Sequence, residues 1–374
     1  MRFSDSHRAE VQILDQALYF FFPAFLLLAF CCQSKKTKEI DSTWALLPFV
    51  KVDSVNPVLT PGGNTFYDPI VKADVKWDEK DVFNPAAIVQ NNKVYLLFRA
   101  EDKIGKFAGT SRLGLAESDD GLHFTKMPVP VFYPDNDRMK TYEWEGGVED
   151  PRVVENEDGT YILTYTAFDG KIARLCLASS PDLVHWKKLG LVLTGRYQDA
   201  WSKSGAIVAR KVNDKIVAQK INEKYWMYFG DTDLFMATSD DLIHWIPLEE
   251  NGRLKPVLKP RPGYFDSRLV ESGPCALMTE SGIVLIYNGM NLDTGGDPAI
   301  AKGAYCAGQA LFDKNDPAKM IDRLDNNFMK PEKPYEITGQ ISQVCFLEGL
   351  VPFHGKWFLY YGTADSMIAV ATSP

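Results

Sequence analysis

From about residue 50 onward, short apolar and aromatic runs of four to seven residues alternate with turns rich in Gly, Asn and Asp. This is the pattern of strands, and it predicts an all-β fold. One run recurs: Lys93–Phe98 returns as Thr160–Tyr165, Lys224–Phe229, Gly282–Tyr287 and Lys356–Tyr361, at steps of 67, 64, 58 and 74 residues. A second element follows three of the copies. Ala116–Phe124, with Ser118, Asp120 and His123, is echoed by Ala178–Trp186 and Ala237–Trp245. Strand, turn, strand and an Asp-rich hairpin make one four-stranded unit. Five copies predict a five-bladed β-propeller, with only short, protected sheet edges.

The repeat sorts the carboxylates. Asp119, Asp120, Asp182, Asp240 and Asp241 fall in hairpins, where Asp side chains cap turns. His123, His185 and His244 are encoded by the same repeat and are read as turn residues. Carboxylates where the strands of different units converge are better candidates for chemistry.

The N-terminal stretch differs from the rest. Ala17–Cys32 is apolar throughout and precedes Lys35, Lys36 and Lys38. It is short for a membrane span, which needs about 20 residues, and suits the apolar region of an export signal. Leu28–Cys32 looks like a bacterial lipoprotein cleavage site, with Cys31 or Cys32 carrying lipid, although Phe30 departs from the small residue expected there. A plain signal peptide or a tethering helix is the alternative. The expected division is a signal over 1–32, a linker over 33–50 and a catalytic body over 51–374. The expected location is outside the cytoplasm, in the periplasm or anchored at the outer membrane of a bacterium.

The whole chain is 45% hydrophobic and 24% charged, as a globular protein should be. Aromatics at 12% suit sugar stacking and an all-β core alike. A net charge of −8 argues against nucleic acid or acidic lipid surfaces as partners. Cys176, Cys275, Cys306 and Cys345 are far apart among apolar or small neighbours, so they read as buried free thiols. No metal site and no cofactor are expected.

Trp144–Arg152 reads Trp-Glu-Gly-Gly-Val-Glu-Asp-Pro-Arg. Two glycines allow a tight turn, and Pro151 fixes the backbone beside Glu149, Asp150 and Arg152. Glycoside cleavage needs a proton for the departing oxygen and help for attack from the other face. Two carboxyls about 6.5–9.5 Å apart supply both when configuration inverts. A neutral donor is favoured by burial or by a like-charged neighbour. Glu149 is adjacent to Asp150, although strand alternation sends neighbouring side chains to opposite faces.

This motif resembles the signature of the mannoside phosphorylase family, glycoside hydrolase family 130, and the resemblance runs from about Phe83 to the C-terminus. It implies that Asn84 and Arg99 touch the mannosyl unit and that Asp365 binds the same sugar. Asp150 matches the family's catalytic aspartate, which in the phosphorylases protonates the glycosidic oxygen through a sugar hydroxyl. The resemblance also shows departures. Phosphorylases hold phosphate with a set of cations and donors. The family's Arg-Asn or Lys-Asn pair is here Lys203-Ser204. Its other phosphate contacts align with Gly230, Leu269 and Asn288, so Lys203 alone survives.

Carboxylates stand in their place: Glu271 in Val270–Pro274, with Asp231 and Asp233 beside Gly230. An acidic pocket repels phosphate and can deprotonate water. Glu271 is therefore the expected general base, with Asp231 as a possible partner. Asn84, Arg99, Lys203, Asn288 and Asp365 are the expected sugar-binding residues. The expected activity is inverting hydrolysis of β-mannosides in oligosaccharides or glycans, with a β-1,2 preference implied by the resemblance alone. The alternatives are a phosphate-dependent mannoside phosphorylase, a propeller that binds glycans without cleaving them, and another propeller glycosidase.

Overall fold

A computed structural model describes residues 42–374. The described chain is all-β, and its strands fall into five successive antiparallel sheets, with short parallel pairings linking some neighbours. The first joins Asp81–Gln90, Lys93–Glu101, Ser111–Ser118 and Thr125–Lys126. The second joins Gly147–Glu155, Tyr161–Phe168, Ala173–Ser180 and Lys187–Leu191. The third runs from Ala206–Val212 through Tyr225–Phe229 and Phe235–Ser239 to Trp245–Pro247. In the fourth, the leading strand is split into Leu269–Ser272 and Ala276–Met278 at Gly273-Pro274, and both pieces pair with Ile283–Met290. Tyr305–Phe312 and Met320–Arg323 complete it.

The fifth sheet takes Cys345–Phe353, Lys356–Thr363 and Met367–Ser373 from the end of the chain. Its outer strand is the early segment Val50–Lys51, which pairs Val50 with Thr372. Asn56 reinforces the join, donating to and accepting from the backbone of Val370 at 2.8 Å. The five recurring segments seen in the sequence are the second strands of the five sheets.

Apolar clusters fill the spaces between successive sheets. Leu97 and Leu113 meet Val148 and Tyr165, and Leu175 meets Met227. Tyr228 meets Leu285, and Ile286 meets Leu359. A further cluster brings Leu96 and Phe98 of the first sheet against Phe358 and Tyr360 of the fifth. Each fully buried side chain of this kind is worth about 1.5–3 kcal/mol, so the sheets hold one another.

The Asp-rich hairpins are turns, as the repeat implied. Asp120, Asp182 and Asp241 each accept two backbone N–H bonds, and each also meets the Nδ1 of its histidine at 2.7–2.8 Å. The expected linker over 33–50 needs correction at its C-terminal half. Ser42–Trp44 is a helical turn, and Trp44 is buried against Val284, Leu311 and Leu324. Its Nε1 donates to Asp322 at 3.0 Å, and Leu46 exchanges backbone bonds with the Gln309 amide at 2.9 Å. The body thus starts by residue 42, because an indole with a buried partner cannot belong to a solvated tether. The expected signal and Cys31 or Cys32 lie outside the described residues. Cys176, Cys306 and Cys345 are buried free thiols, and Cys275 is half-buried.

Candidate active site

Each sheet opens with a buried polar residue followed by Pro or Gly: Asn84-Pro85, Asp150-Pro151, Ser204-Gly205, Ser272-Gly273 and Glu348-Gly349. In three of the leading strands the register slips at this point, between Phe83 and Pro85, Glu149 and Arg152, and Leu347 and Gly349. Such a bulge re-aims a side chain. Asn84, Asp150 and Ser204 sit in the left-handed region at φ 48°, 49° and 58°, as does Asp365 at 50°. Non-glycine residues rarely adopt this conformation, and when they do they cluster at functional sites. Gly362 makes room for Asn84, since a Cβ there would lie 2.2 Å from Asn84 Oδ1.

The re-aimed residues line a cavity of about 290 Å³ that includes Asn84, Arg99, Asp150, Lys203, Glu271 and Asp365. Two larger hollows lie elsewhere, around Tyr133 and Trp186 and around Phe49 and Phe328. In the first, Lys188 already pairs with Asp137 and Glu143, so its charges are spent.

Arg99 organises one wall. Its guanidinium meets Asp150 at 3.0 Å, Glu101 at 2.7 Å and Glu149 at 3.1 Å, while Nε donates to Ser111 at 3.0 Å. Strand alternation would have turned Glu149 away from Asp150. The bulge at Asp150 cancels the alternation, and both carboxylates reach the same cation. Asn84 Nδ2 also donates to Asp150, at 3.0 Å, and its buried Oδ1 has no protein partner, which leaves an acceptor for a ligand hydroxyl.

Lys203 and Ser204 link the two sides. Lys203 Nζ lies 3.3 Å from Asp150 Oδ2, and Ser204 Oγ makes a short hydrogen bond to Glu271. Arg152 ties the same residues from behind. It donates to the carbonyls of Asp150 at 3.0 Å, Ser272 at 2.7 Å and Gly273 at 3.1 Å. Adjacent residues thus fix Asp150 and Glu271 relative to each other twice, once through side chains and once through backbone.

Burial works against charge throughout the cavity. It pushes Glu271 up to about 7 against the pull of Lys203, with Asp231 and Asp150 adding to the rise. Burial likewise lifts Asp365 to about 7 despite Arg99, and Glu149 to about 7 despite the same arginine. Asp150 goes the other way. Burial alone would raise it, but Lys203, Arg99 and Arg152 hold it well below the usual carboxylate range. Burial opposes the Lys203 charge too, yet Asp150, Glu271 and Glu149 keep its proton firmly bound. The donor expected to be neutral on sequence grounds is therefore ionised.

Two other expectations change. Asn288 is fully buried and exchanges both amide bonds with the backbone of Leu347, at 3.1 and 2.8 Å. It joins the fourth sheet to the fifth and is not free to bind sugar. Asp231 is not on the cavity wall. It stands at the rim and accepts the Trp201 indole N–H at 2.6 Å. Glu271 could on sequence grounds have been a loop carboxylate paired with Arg268, but Arg268 lines the cavity exposed and makes no ion pair among the described residues.

Tyr305, on the cavity wall, and Glu348 escaped the sequence reading. Glu348 is buried beside Arg152 at 3.0 Å, with neither oxygen in a hydrogen bond. The recurring polar-then-Pro/Gly pair was the signal that could have found it. Burial pushes its carboxyl well above the ordinary range despite the arginine. Glu348→Gln is accordingly expected to shift the melting temperature by no more than about 2 °C. A fall of about 10 °C in thermal denaturation would mean that the charge is required.

The all-β frame gathers carboxylates, an arginine and an amide into one small polar cavity suited to a sugar, and comparison with known proteins shows a carbohydrate-active enzyme. The family described as beta-1,4-mannooligosaccharide phosphorylase matches residues 57–374, and the chain belongs to glycoside hydrolase family 130. It is 34% identical over 326 residues to a 1,2-beta-oligomannan phosphorylase of Thermoanaerobacter sp. (strain X514), covering 85% of this chain and 95% of that one. A solved glycosyl hydrolase from Bacteroides ovatus is 46% identical with a TM-score of 0.86, covering 88% of this chain and 94% of that one. A further solved structure is described with glycoside hydrolases of the family that target β-1,2 mannosidic linkages in Candida mannan. It is 44% identical with a TM-score of 0.86, over 88% of this chain and 94% of that chain.

Proposed function

We propose that the protein hydrolyses β-mannosides with inversion, preferring β-1,2 linkages, and that its five sheets are the blades of a propeller with the cavity at their common axis. The observation that carries this is the state of Lys203-Ser204. In place of a free anion site, the lysine is engaged by Asp150 and the serine by Glu271. Glu271, held near neutrality, takes a proton from water as the water attacks the anomeric carbon. The proton for the departing oxygen comes from the Glu149–Asp150 pair. These two carboxyls share Arg99 and hold one proton between them up to about pH 7, on Glu149. Asn84, Arg99 and Asp365 grip the sugar being cleaved.

The β-1,2 preference draws on the relatives named for that linkage, both the phosphorylase and the hydrolases. The apolar 17–32 segment supports secretion, and hydrolysis suits a compartment where a sugar phosphate has no use. A phosphorylase is the second reading. It is favoured by the curated relative and by Arg268, a cation on the cavity wall with no carboxylate partner among the described residues. Incubating the protein with β-1,2-mannobiose, with and without phosphate, separates the two. Mannose at equal rates in both is the expected product. Mannose 1-phosphate formed only with phosphate would overturn the hydrolytic reading.

A further inference from the structure

Trp201 is the one tryptophan in the chain that is exposed, at 53% of its surface. An indole left in water forgoes much of the gain it would make in a core, so a fixed, exposed ring invites a partner. This ring is fixed. Its Nε1 donates to Asp231 at 2.6 Å, and Phe168 packs against it at 6.4 Å with the planes at 68°. Phe107 supports Phe168 in turn, at 6.1 Å and 63°. The row Phe107–Phe168–Trp201 therefore cannot swing freely.

Its place is set by the backbone. Trp201 precedes Lys203 by two residues, and the Lys203 carbonyl accepts from Gly230 N at 2.9 Å. The Trp201–Asp231 bond is the next rung outward from that one. Phe168 accepts from Gly146 N at 3.0 Å, at the start of the strand that carries Asp150. The aromatic row and the cavity thus open at the same end of the second and third sheets. Asn84, Arg99 and Asp365, which hold the sugar being cleaved, come instead from the first and fifth sheets. In the proposed reaction this leaves the second and third sheets to face the departing part of the substrate.

We infer that Trp201, locked by Asp231 and Phe168, is a stacking platform for a pyranose ring of the leaving group beyond the first, so that the enzyme favours oligosaccharides over disaccharides. The C–H face of a pyranose covers an indole, while Asp231 at its edge accepts hydroxyl protons. Asp231 then serves as anchor and rim acceptor, with no direct part in activating water. This rests on the hydrolytic reading above.

The test compares kcat/KM on β-1,2-mannotetraose with kcat/KM on β-1,2-mannobiose. Trp201→Ala is expected to lower that ratio about tenfold, the scale of one aromatic contact. Trp201→Phe, which keeps a ring, retains most of it. A ratio within about twofold of wild type in Trp201→Ala would overturn the platform. If wild type cleaves neither sugar, the functional reading alone fails. The platform is then judged by calorimetry with the tetraose, where Trp201→Ala binding as tightly as wild type would sink it and weakening of about tenfold would support it.

Discussion

The Glu271→Gln enzyme is expected to turn over β-mannobiose about a thousandfold more slowly than wild type while binding it with near-normal affinity. The amide keeps the size of the side chain and its contact with Ser204, but it cannot take a proton from water. Binding measured by calorimetry and kcat from sugar release would separate the two effects. Loss of binding equal to the loss of turnover would make Glu271 a substrate ligand, and near wild-type kcat would place the base elsewhere. The base works only when ionised and the Glu149–Asp150 pair donates only while it holds its proton, so in wild type kcat/KM should peak near pH 7 and fall on both sides.

The contribution of Glu271 to stability should instead fall as pH rises. The folded-state value of Glu271 lies above its ordinary one, so the stability its neutral form contributes is complete below the ordinary carboxylate range and lost as pH rises through about 7. Glu271→Gln should therefore melt higher than wild type near pH 8, with the gap closing towards about pH 4.5.

Arg99→Met should be the most damaging single change to the fold. Asp150, Glu149 and Glu101 share its guanidinium, and the ring of Phe83 lies 4.7 Å beneath it. Removing the cation strands buried carboxylates, a loss on the order of 3–5 kcal/mol. The cost should be largest above about pH 7, where Glu149 would otherwise be ionised, and smaller in acid, where protonated carboxyls need no counter-charge. Urea unfolding at two pH values reads this directly. Arg99→Lys should recover little, since one ammonium cannot meet three carboxylates in a fixed fork. Unchanged stability in the methionine variant would show that the carboxylates are neutral or solvated without it.

Much of this was legible in the chain because repetition writes itself into sequence. The five aromatic segments marked the five sheets, and the Ser-x-Asp hairpins marked their turns. Asn84, Arg99, Asp150, Lys203, Glu271 and Asp365 were brought together by resemblance, and they do converge. What failed was local. A one-residue bulge at Asp150 reversed the facing of Glu149, and only the recurring polar-then-Pro/Gly pair hinted at such a slip. Asn288 looked polar and free, yet the backbone of Leu347 claims both of its amide groups. Trp44 sat next to a polar stretch, and its burial depends on residues more than two hundred positions away.

The pairing of Val50 with Thr372 has a consequence for how the protein comes into being. A nascent chain can complete its first four sheets on the ribosome, but the fifth waits for residues 367–373, whose outer partner was made first. Until then the edge of Lys356–Thr363 that Met367–Ser373 covers stays open, a row of backbone donors and acceptors that invites pairing with neighbouring chains. Ribosomes stalled before residue 367 should carry chains far more sensitive to protease than the full-length protein.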